Sequence, residues 1–209
     1  MGSKERRERE REDTRERIVA AARELFVHQG VEAVTMREIA RRIDYTPTAI
    51  YHHFADKNAL ITELCDRDFL ALARVFVRLS RIEDPIERLR EIGLAYVDFA
   101  LENPSQYRFM FMTAKPALEL QDFSLRHGNP DEDAYAFLRQ TIAEGMAAGR
   151  FRPEFQDVEQ LAQMMWAGAH GVVSLYIVKV DDPWVTWRDP RETARVLMEA
   201  TMRGALRAP

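Results

Sequence analysis

The stretch Thr35 to Asn58, TMREIARRIDYTPTAIYHHFADKN, reads as two short helices joined by a tight turn and opening into a third. Thr35 is placed to cap the first helix, and Glu38, three residues on, can close a capping box with it. Met36, Ile39, Ala40 and Ile43 recur at helical spacing, which gives this helix one apolar face and leaves Arg37, Arg41 and Arg42 outside. Asp44 and Tyr45 make the turn. Thr46 is a second cap, and Pro47 follows at the first helical position, where its missing N–H costs nothing. The second helix is expected to run from Pro47 to His53. A helix that short does not form alone, so it must be held by its neighbours. Ile50 and Phe54, four apart, anchor it inward and leave Thr48, Ala49, Tyr51 and His52 on the outer face. Small and hydrogen-bonding side chains there suit a helix end inserted in a major groove, with Tyr51 and Lys57 able to reach phosphates. The same spacing also serves an ordinary helical hairpin that touches no DNA.

With its preceding helix, this stretch closely resembles the DNA-binding domain of the tetracycline-repressor (TetR) family. There a T-x-x-x-I-A helix leads through a turn to a short helix ending Y-x-H-F-x-x-K. The matching residues are Thr35, Ile39, Ala40, Tyr51, His53, Phe54 and Lys57, with Leu60 following. Many members carry glycine at the turn where this chain has Asp44, and aspartate tolerates the left-handed conformation such a turn needs. The resemblance is strong over residues 13 to 60 and architectural beyond them. It implies an all-α protein with an N-terminal three-helix helix-turn-helix domain and a C-terminal helical ligand-binding and dimerisation domain. The expected divisions are a charged arm at 1 to 12, the DNA-binding domain at 13 to 60 and the effector domain at 61 to 209. On this reading Thr35, Arg37, Tyr51, His52 and Lys57 contact the DNA backbone. Thr46, Pro47, Thr48 and Ala49 meet base edges, Pro47 and Ala49 against thymine methyls.

Composition agrees with a globular chain that can bury a core: 209 residues, 46% hydrophobic and 31% charged. A single cysteine, Cys65, excludes an internal disulfide framework and a thiolate metal cluster, and points to a reducing, cytoplasmic setting. The first apolar residues after Met1 are Ile18 and Val19, so no secretory signal is expected. The net charge of −4 argues against wholesale nucleic-acid binding, but it is unevenly spread. Residues 1 to 60 hold 12 Lys+Arg against 11 Asp+Glu, and the remainder holds 18 against 23. Any DNA contact must be a local patch on the first part.

Residues 1 to 12, MGSKERRERERE, allow two readings. Lys4, Arg6, Arg7, Arg9 and Arg11 could form a basic arm along the DNA. Alternatively, Glu5 with Arg9 and Arg6 with Glu10 are spaced for i,i+4 pairs in a solvated helical extension. Asp13 and Glu16 then read as a capping box opening a helix to Gln29, which Gly30 ends. Asp56 caps the next helix, which runs through Leu60, Leu64, Phe69, Leu72 and Phe76 to Leu79, long enough to be a lever between two domains. Downstream, Asp84-Pro85, Asn129-Pro130 and Asp189-Pro190, each followed by glutamate, announce helices near 85 to 102, 130 to 148 and 190 to 206. Asp157 begins another to about Val178, and short helices fill 104 to 112 and 116 to 123. No stretch alternates as a strand would.

Gln160 to Val178 is 19 residues without Asp, Glu, Lys or Arg, close to the length of a membrane span. Gln160, Gln163, His170 and Ser174 argue against one. A helix apolar on all sides needs a second burial partner, and the expected partner is another copy of the chain. Packed with the last helix, it would bring Ala169, Val173, Val196, Ala200 and Gly204 to a homodimer interface. Trp166, His170 and Gly171 spell W-x-x-x-H-G, which looks like the signature of a TetR-type C-terminal subgroup. His170 is either the polar contact of an apolar ligand cavity or a core histidine bonded to a neighbouring helix. The resemblance implies an effector held between these helices. Tyr96, Phe99, Tyr107, Phe109, Met112, Phe123, Tyr135, Met165, Trp166 and His170 are the candidate lining, suited to a mostly apolar, aromatic or acyl ligand.

There is no Gly-rich phosphate loop, no G-x-S-x-G and no H-E-x-x-H; adjacent His52 and His53 diverge on a helix and cannot chelate together. No catalytic residue, metal or cofactor is expected. The sequence thus reads as a homodimeric, ligand-responsive regulator of double-stranded operator DNA, a repressor or an activator, without membrane association. A soluble ligand-binding protein that kept only the fold is the third class.

Overall fold

The structure is a computed structural model that describes residues 3–207. The described elements are α1 (Ser3–Gln29), α2 (Met36–Arg42), α3 (Pro47–Tyr51), α4 (Lys57–Val77), α5 (Pro85–Glu102), α6 (Pro104–Phe111), α7 (Ala134–Ala147), α8 (Val158–Lys179) and α9 (Pro190–Ala205). Two 3₁₀ turns, Arg78–Arg81 and Leu120–Asp122, complete them. Among the described residues there is no strand, only an isolated antiparallel bridge between Phe151 and Leu206, so the protein is all-α.

Caps decide most of the helix starts. Asp84 accepts from the amides of Ile86 (2.7 Å) and Glu87, Asp157 from Glu159 (2.9 Å) and Gln160, and Asp189 from Glu192 (2.8 Å), each at the predicted position. Outside α3, four starts or ends depart from expectation. Asp13 and Glu16 do not open a helix, because α1 already runs unbroken from Ser3. Its repeating Arg and Glu are good helix formers and pair one turn apart, Lys4 with Glu8 and Arg6 with Glu10. The Asn129-Pro130 cap is displaced to Asp133, which accepts from Tyr135 and Ala136, while Glu132 turns back to Arg126. In the expected helix 116 to 123 only the turn Leu120–Asp122 is helical. The helix after Asp56 stops at Val77 and tightens into the first 3₁₀ turn.

The chain folds as two compact units, Met1–Asp68 with Ser105–Ser124, and Phe69–Pro104 with Leu125–Pro209. The division between these units falls after Asp68, within α4, and Ser105–Ser124 goes with the first unit. That unit packs α1 on α2 and α2 on α3 around Ile18, Phe26, Ile39, Ile50 and Leu64. Phe109 belongs to the same core, stacked on Phe26 with ring centroids 6.0 Å apart. In the second unit α5 is central, against α7, α8 and α9. At Gly145 an added Cβ would lie 2.8 Å from the buried Phe151 ring, so the small residue is what admits that ring against α7.

Candidate functional site

In the first unit the two short helices start at the predicted caps. The Thr35 hydroxyl accepts from the Glu38 amide (3.2 Å) and the Thr46 hydroxyl from the Ala49 amide (3.2 Å). The Glu38 carboxylate does not close the expected capping box on Thr35 but accepts from Gln29 across on α1. The turn closes as a Schellman motif: the Tyr45 amide reaches the Ala40 carbonyl at 2.9 Å and the Asp44 amide the Arg41 carbonyl at 3.3 Å. Asp44 takes φ +60°, the one non-glycine residue with positive φ among those described, in the position glycine usually fills. The α3 helix ends at Tyr51, two residues earlier than expected, because the His53 amide bonds the Ile50 carbonyl in a tighter turn that folds Phe54 inward.

Buried Ile50 and Phe54 therefore hold α3 from below. Thr35, Arg37, Thr46, Thr48, Tyr51 and His52 are exposed, and Pro47 and Ala49 partly so. Tyr51 is an aromatic side chain left 52% exposed. Lys57 is placed differently from the simple expectation. Its ammonium donates to the carbonyls of Val31 (2.9 Å) and Val34 (3.1 Å), tying the loop before α2 to the start of α4. One of its three protons is left for a phosphate.

Sequence reasoning missed the arginines that fix this arrangement, because ion pairs between distant segments carry no periodic signal. Arg15 donates to the His53 carbonyl (2.8 Å) and to Glu63 (3.0 Å), and lies over the Phe54 ring. Arg17 donates to the Ile43 carbonyl (3.0 Å) and covers the Tyr45 ring. Arg67 joins Glu63, Glu12 and Glu16. Burial pushes the Glu63 carboxyl up, but the hydrogen bonds from Arg15 and Arg67 outweigh it and hold its pKa below the ordinary value. For His53 burial, and then the charges of Arg11 and Arg15, hold the pKa below 6.5, and its Nδ1 has no hydrogen-bond partner among the described residues. Deeper in the unit, Asp68 is fully buried and receives Arg23 on both oxygens and Gln106 at 3.0 Å.

The ten candidate ligand residues divide between the units. Tyr107, Phe109, Met112 and Phe123 belong to the first. There Tyr107 and Phe109 are fully buried core, and Lys115 bonds the carbonyls of Phe109, Met110 and Thr113 behind them. Tyr96, Phe99, Tyr135, Met165, Trp166 and His170 belong to the second. Its polar centre is the Tyr96 hydroxyl, which accepts from the Trp166 indole N–H (3.1 Å) and shares a hydrogen bond with His170 Nδ1 (3.0 Å). His170 is thus bonded to a neighbouring helix, as the structural reading of it required, and burial holds its pKa below 6.5. Tyr135 packs 5.9 Å from Trp166 and donates to Glu159 at 2.8 Å, an acidic partner that no motif flagged.

The expected interface also divides. Ala169 and Val173 are buried inside their own protomer, at 3% and 0% exposure, so they cannot meet a partner. The open face of α8 lies one position away, through Met164, Ala167, Gly171, Leu175 and Val178. Val196, Ala200 and Gly204 on α9 are exposed as expected. By length and composition α8 could cross a membrane, yet it packs on α5, α7 and α9, with a third of its most apolar stretch buried within the unit.

Two family profiles match this chain. One, described as bacterial regulatory proteins of the tetR family, matches residues 18–64; the other, a tetracyclin repressor-like C-terminal domain, matches 89–201. The regulator UidR of Escherichia coli (strain K12) is 34% identical over 94 residues, 45% of this chain and 42% of its own length. The chain therefore spans less than half of that curated relative. The transcriptional repressor KstR2 of Mycolicibacterium smegmatis is 28% identical over 144 residues, 67% of this chain and 68% of that one. Among solved structures, NalD, described as the secondary repressor of the MexAB-OprM multidrug efflux pump in Pseudomonas aeruginosa, superposes with a TM-score of 0.73. It is 25% identical, with 95% of this chain and 98% of that one covered. The helix-turn-helix geometry and the two profiles, the second alone covering more than half of the sequence, show that this chain belongs to the tetracycline-repressor family of bacterial regulatory proteins.

Proposed function

We propose that this chain, which is not an enzyme, is a cytoplasmic DNA-binding transcriptional regulator. It acts as a homodimeric repressor released from its operator by a small, mostly apolar effector. The observation that carries the DNA half is α3, a five-residue helix held by Ile50 and Phe54 and capped by Thr46 that presents Thr48, Tyr51 and His52 to solvent. A helix too short to stabilise itself, with its hydrogen-bonding face outward, suits insertion in a groove. Phosphate contacts fall to Thr35, Arg37, Tyr51, His52 and the remaining proton of Lys57, and base edges to Thr46 through Ala49. Repression is favoured over activation because KstR2 and NalD are both described as repressors.

The dimer rests on the apolar stripe left open on α8 and α9, and two recognition helices about 34 to 36 Å apart then match successive turns of the major groove. The effector half rests on the second unit's cluster of Tyr96, Tyr135, Trp166 and His170, which sets a few polar atoms among apolar neighbours. Trp166, His170 and Gly171 keep the W-x-x-x-H-G spacing, which supports reading the domain as a member of that subgroup. Effector binding shifts the population toward a dimer that no longer fits the operator, by as much as its affinities for the two states differ.

The test is selection of genomic fragments by the wild-type protein and by Tyr51→Ala. The expected result is enrichment of a two-fold symmetric site that Tyr51→Ala loses while its thermal unfolding is unchanged. Unchanged enrichment with Tyr51→Ala would remove α3 from the interface. Lower reporter output on deleting the gene would make the protein an activator.

A further inference from the structure

The first three turns of α1 precede every residue that contacts the helix-turn-helix, and their charges are not evenly committed. Lys4 is paired with Glu8 and Arg6 with Glu10. Glu12 and Glu16 are drawn to Arg67 on α4. Arg7 and Arg11, one turn apart and exposed, have no carboxylate within ion-pair reach among the described residues.

The direction these two face is fixed by the residues that follow on the same side of the helix. Positions 7, 11, 14 and 15 are separated by steps of three and four and share one face. Thr14 meets the Tyr45 hydroxyl at 3.3 Å, just before α3, and Arg15 bonds the His53 carbonyl at 2.8 Å, just after it. The α1 face that carries Arg7 and Arg11 is therefore the one that looks at both ends of α3, continued one and two turns beyond it. Arg11 lies close enough to α3 for its charge to act on His53. At 1.5 Å per residue, Arg7 stands about 10 Å past Thr14 along the helix axis.

We propose that Arg7 and Arg11 form a phosphate-binding flank of the recognition helix, extending the DNA contact of each protomer along the backbone beyond the helix-turn-helix. This rests on the DNA-binding reading above. The carboxylates on the rest of the extension keep its net charge near balance, so it holds helical form without a general attraction for polyanions, and only one face is cationic. Such contacts carry no base specificity; they release counterions and steepen the salt dependence.

The experiment measures binding of the full-length protein to a fluorescein-labelled duplex of random sequence, about 40 base pairs long, across a salt series, since phosphate contacts need no operator. Arg7→Gln/Arg11→Gln is compared with Arg6→Gln/Arg9→Gln, which removes the same charge from the opposite side of the helix. In a dimer each double variant removes four cations. Loss of four phosphate contacts flattens the slope of log K against log salt by about 3.5, with binding weaker by roughly 10²–10³-fold near physiological salt. Arg6→Gln/Arg9→Gln is expected to keep a slope within about one of wild type. Equal slopes for the two variants, or a wild-type slope in Arg7→Gln/Arg11→Gln, would overturn the flank while leaving α3 as the reader of DNA. Absence of salt-dependent binding by the wild type would remove the DNA-binding reading and the flank together. Circular dichroism confirms that each variant is helical before its slope is compared.

Discussion

The two units leave opposite kinds of surface unsatisfied. The first unit covers its apolar side chains almost completely and exposes hydroxyls, imidazole and guanidinium around α3. The second bonds the polar atoms of Tyr96, Trp166 and His170 to one another and leaves Leu175, Val178 and Val196 each more than half exposed along α8 and α9, with Trp184 at 93% in the loop between them. Polar groups held outward on a helix too short to stand alone suit a hydrated, charged partner. An apolar stripe on two long helices suits a second copy of itself. The contrast extends to what holds each unit together. The first depends on caps and arginine clasps around helices of five and seven residues, and the second on close packing between long helices.

The contrast can be broken first in the packing. Phe151 is fully buried, and Phe151→Ala is expected to cost about 3–5 kcal/mol in denaturant unfolding, an effect well beyond any single cap. Leu175→Glu touches only exposed surface. It is expected to leave helix content intact while weakening the dimer by about 100-fold in sedimentation velocity, because a carboxylate would have to be buried without a partner. An unchanged dimer would move the interface off α8. Lys57→Met removes the clasp on the Val31 and Val34 carbonyls and is expected to lower stability by about 1–3 kcal/mol, with a loss of DNA binding that is partly structural. Thr46→Ala removes one cap and is expected to cost about 1 kcal/mol.

The smallest effect is on pH. His53 and His170 are both held below 6.5 in the folded protein, chiefly by burial, so the unfolded chain takes up the extra protons. Stability is then flat above pH 6.5 and falls as the pH drops below it. His53→Gln, compared with wild type, should flatten the fall in urea midpoints between about pH 6.5 and 5.

Much of this contrast was legible in the sequence, and for local reasons. Thr35, Thr46, Asp84, Asp157 and Asp189 cap helices because a side-chain oxygen two or three residues from a free amide needs no tertiary information to find it. Asp44 could be assigned its left-handed turn on the same grounds. What stayed hidden was long-range. The pairing of Lys57 with carbonyls before α2, of Arg23 with Asp68, and of Tyr96 with both Trp166 and His170 joins residues far apart in the chain. The sequence placed Ala169 and Val173 at an interface because they sit on an apolar helix. Which side of that helix faces the protomer's own core is decided by α5, α7 and α9. Aromatic and methionine content marked a cluster but could not say that Tyr107 and Phe109 fill a different unit from Trp166.

The central claim is that a dimer reads DNA with paired α3 helices, and hydroxyl-radical footprinting of the protein on its selected genomic fragment tests it most directly. The account predicts two protected patches related by a two-fold axis, their centres about 34 to 36 Å apart on one face of the duplex, both lost with Tyr51→Ala. A single unsymmetrical patch, or symmetric protection that survives Tyr51→Ala, would contradict it.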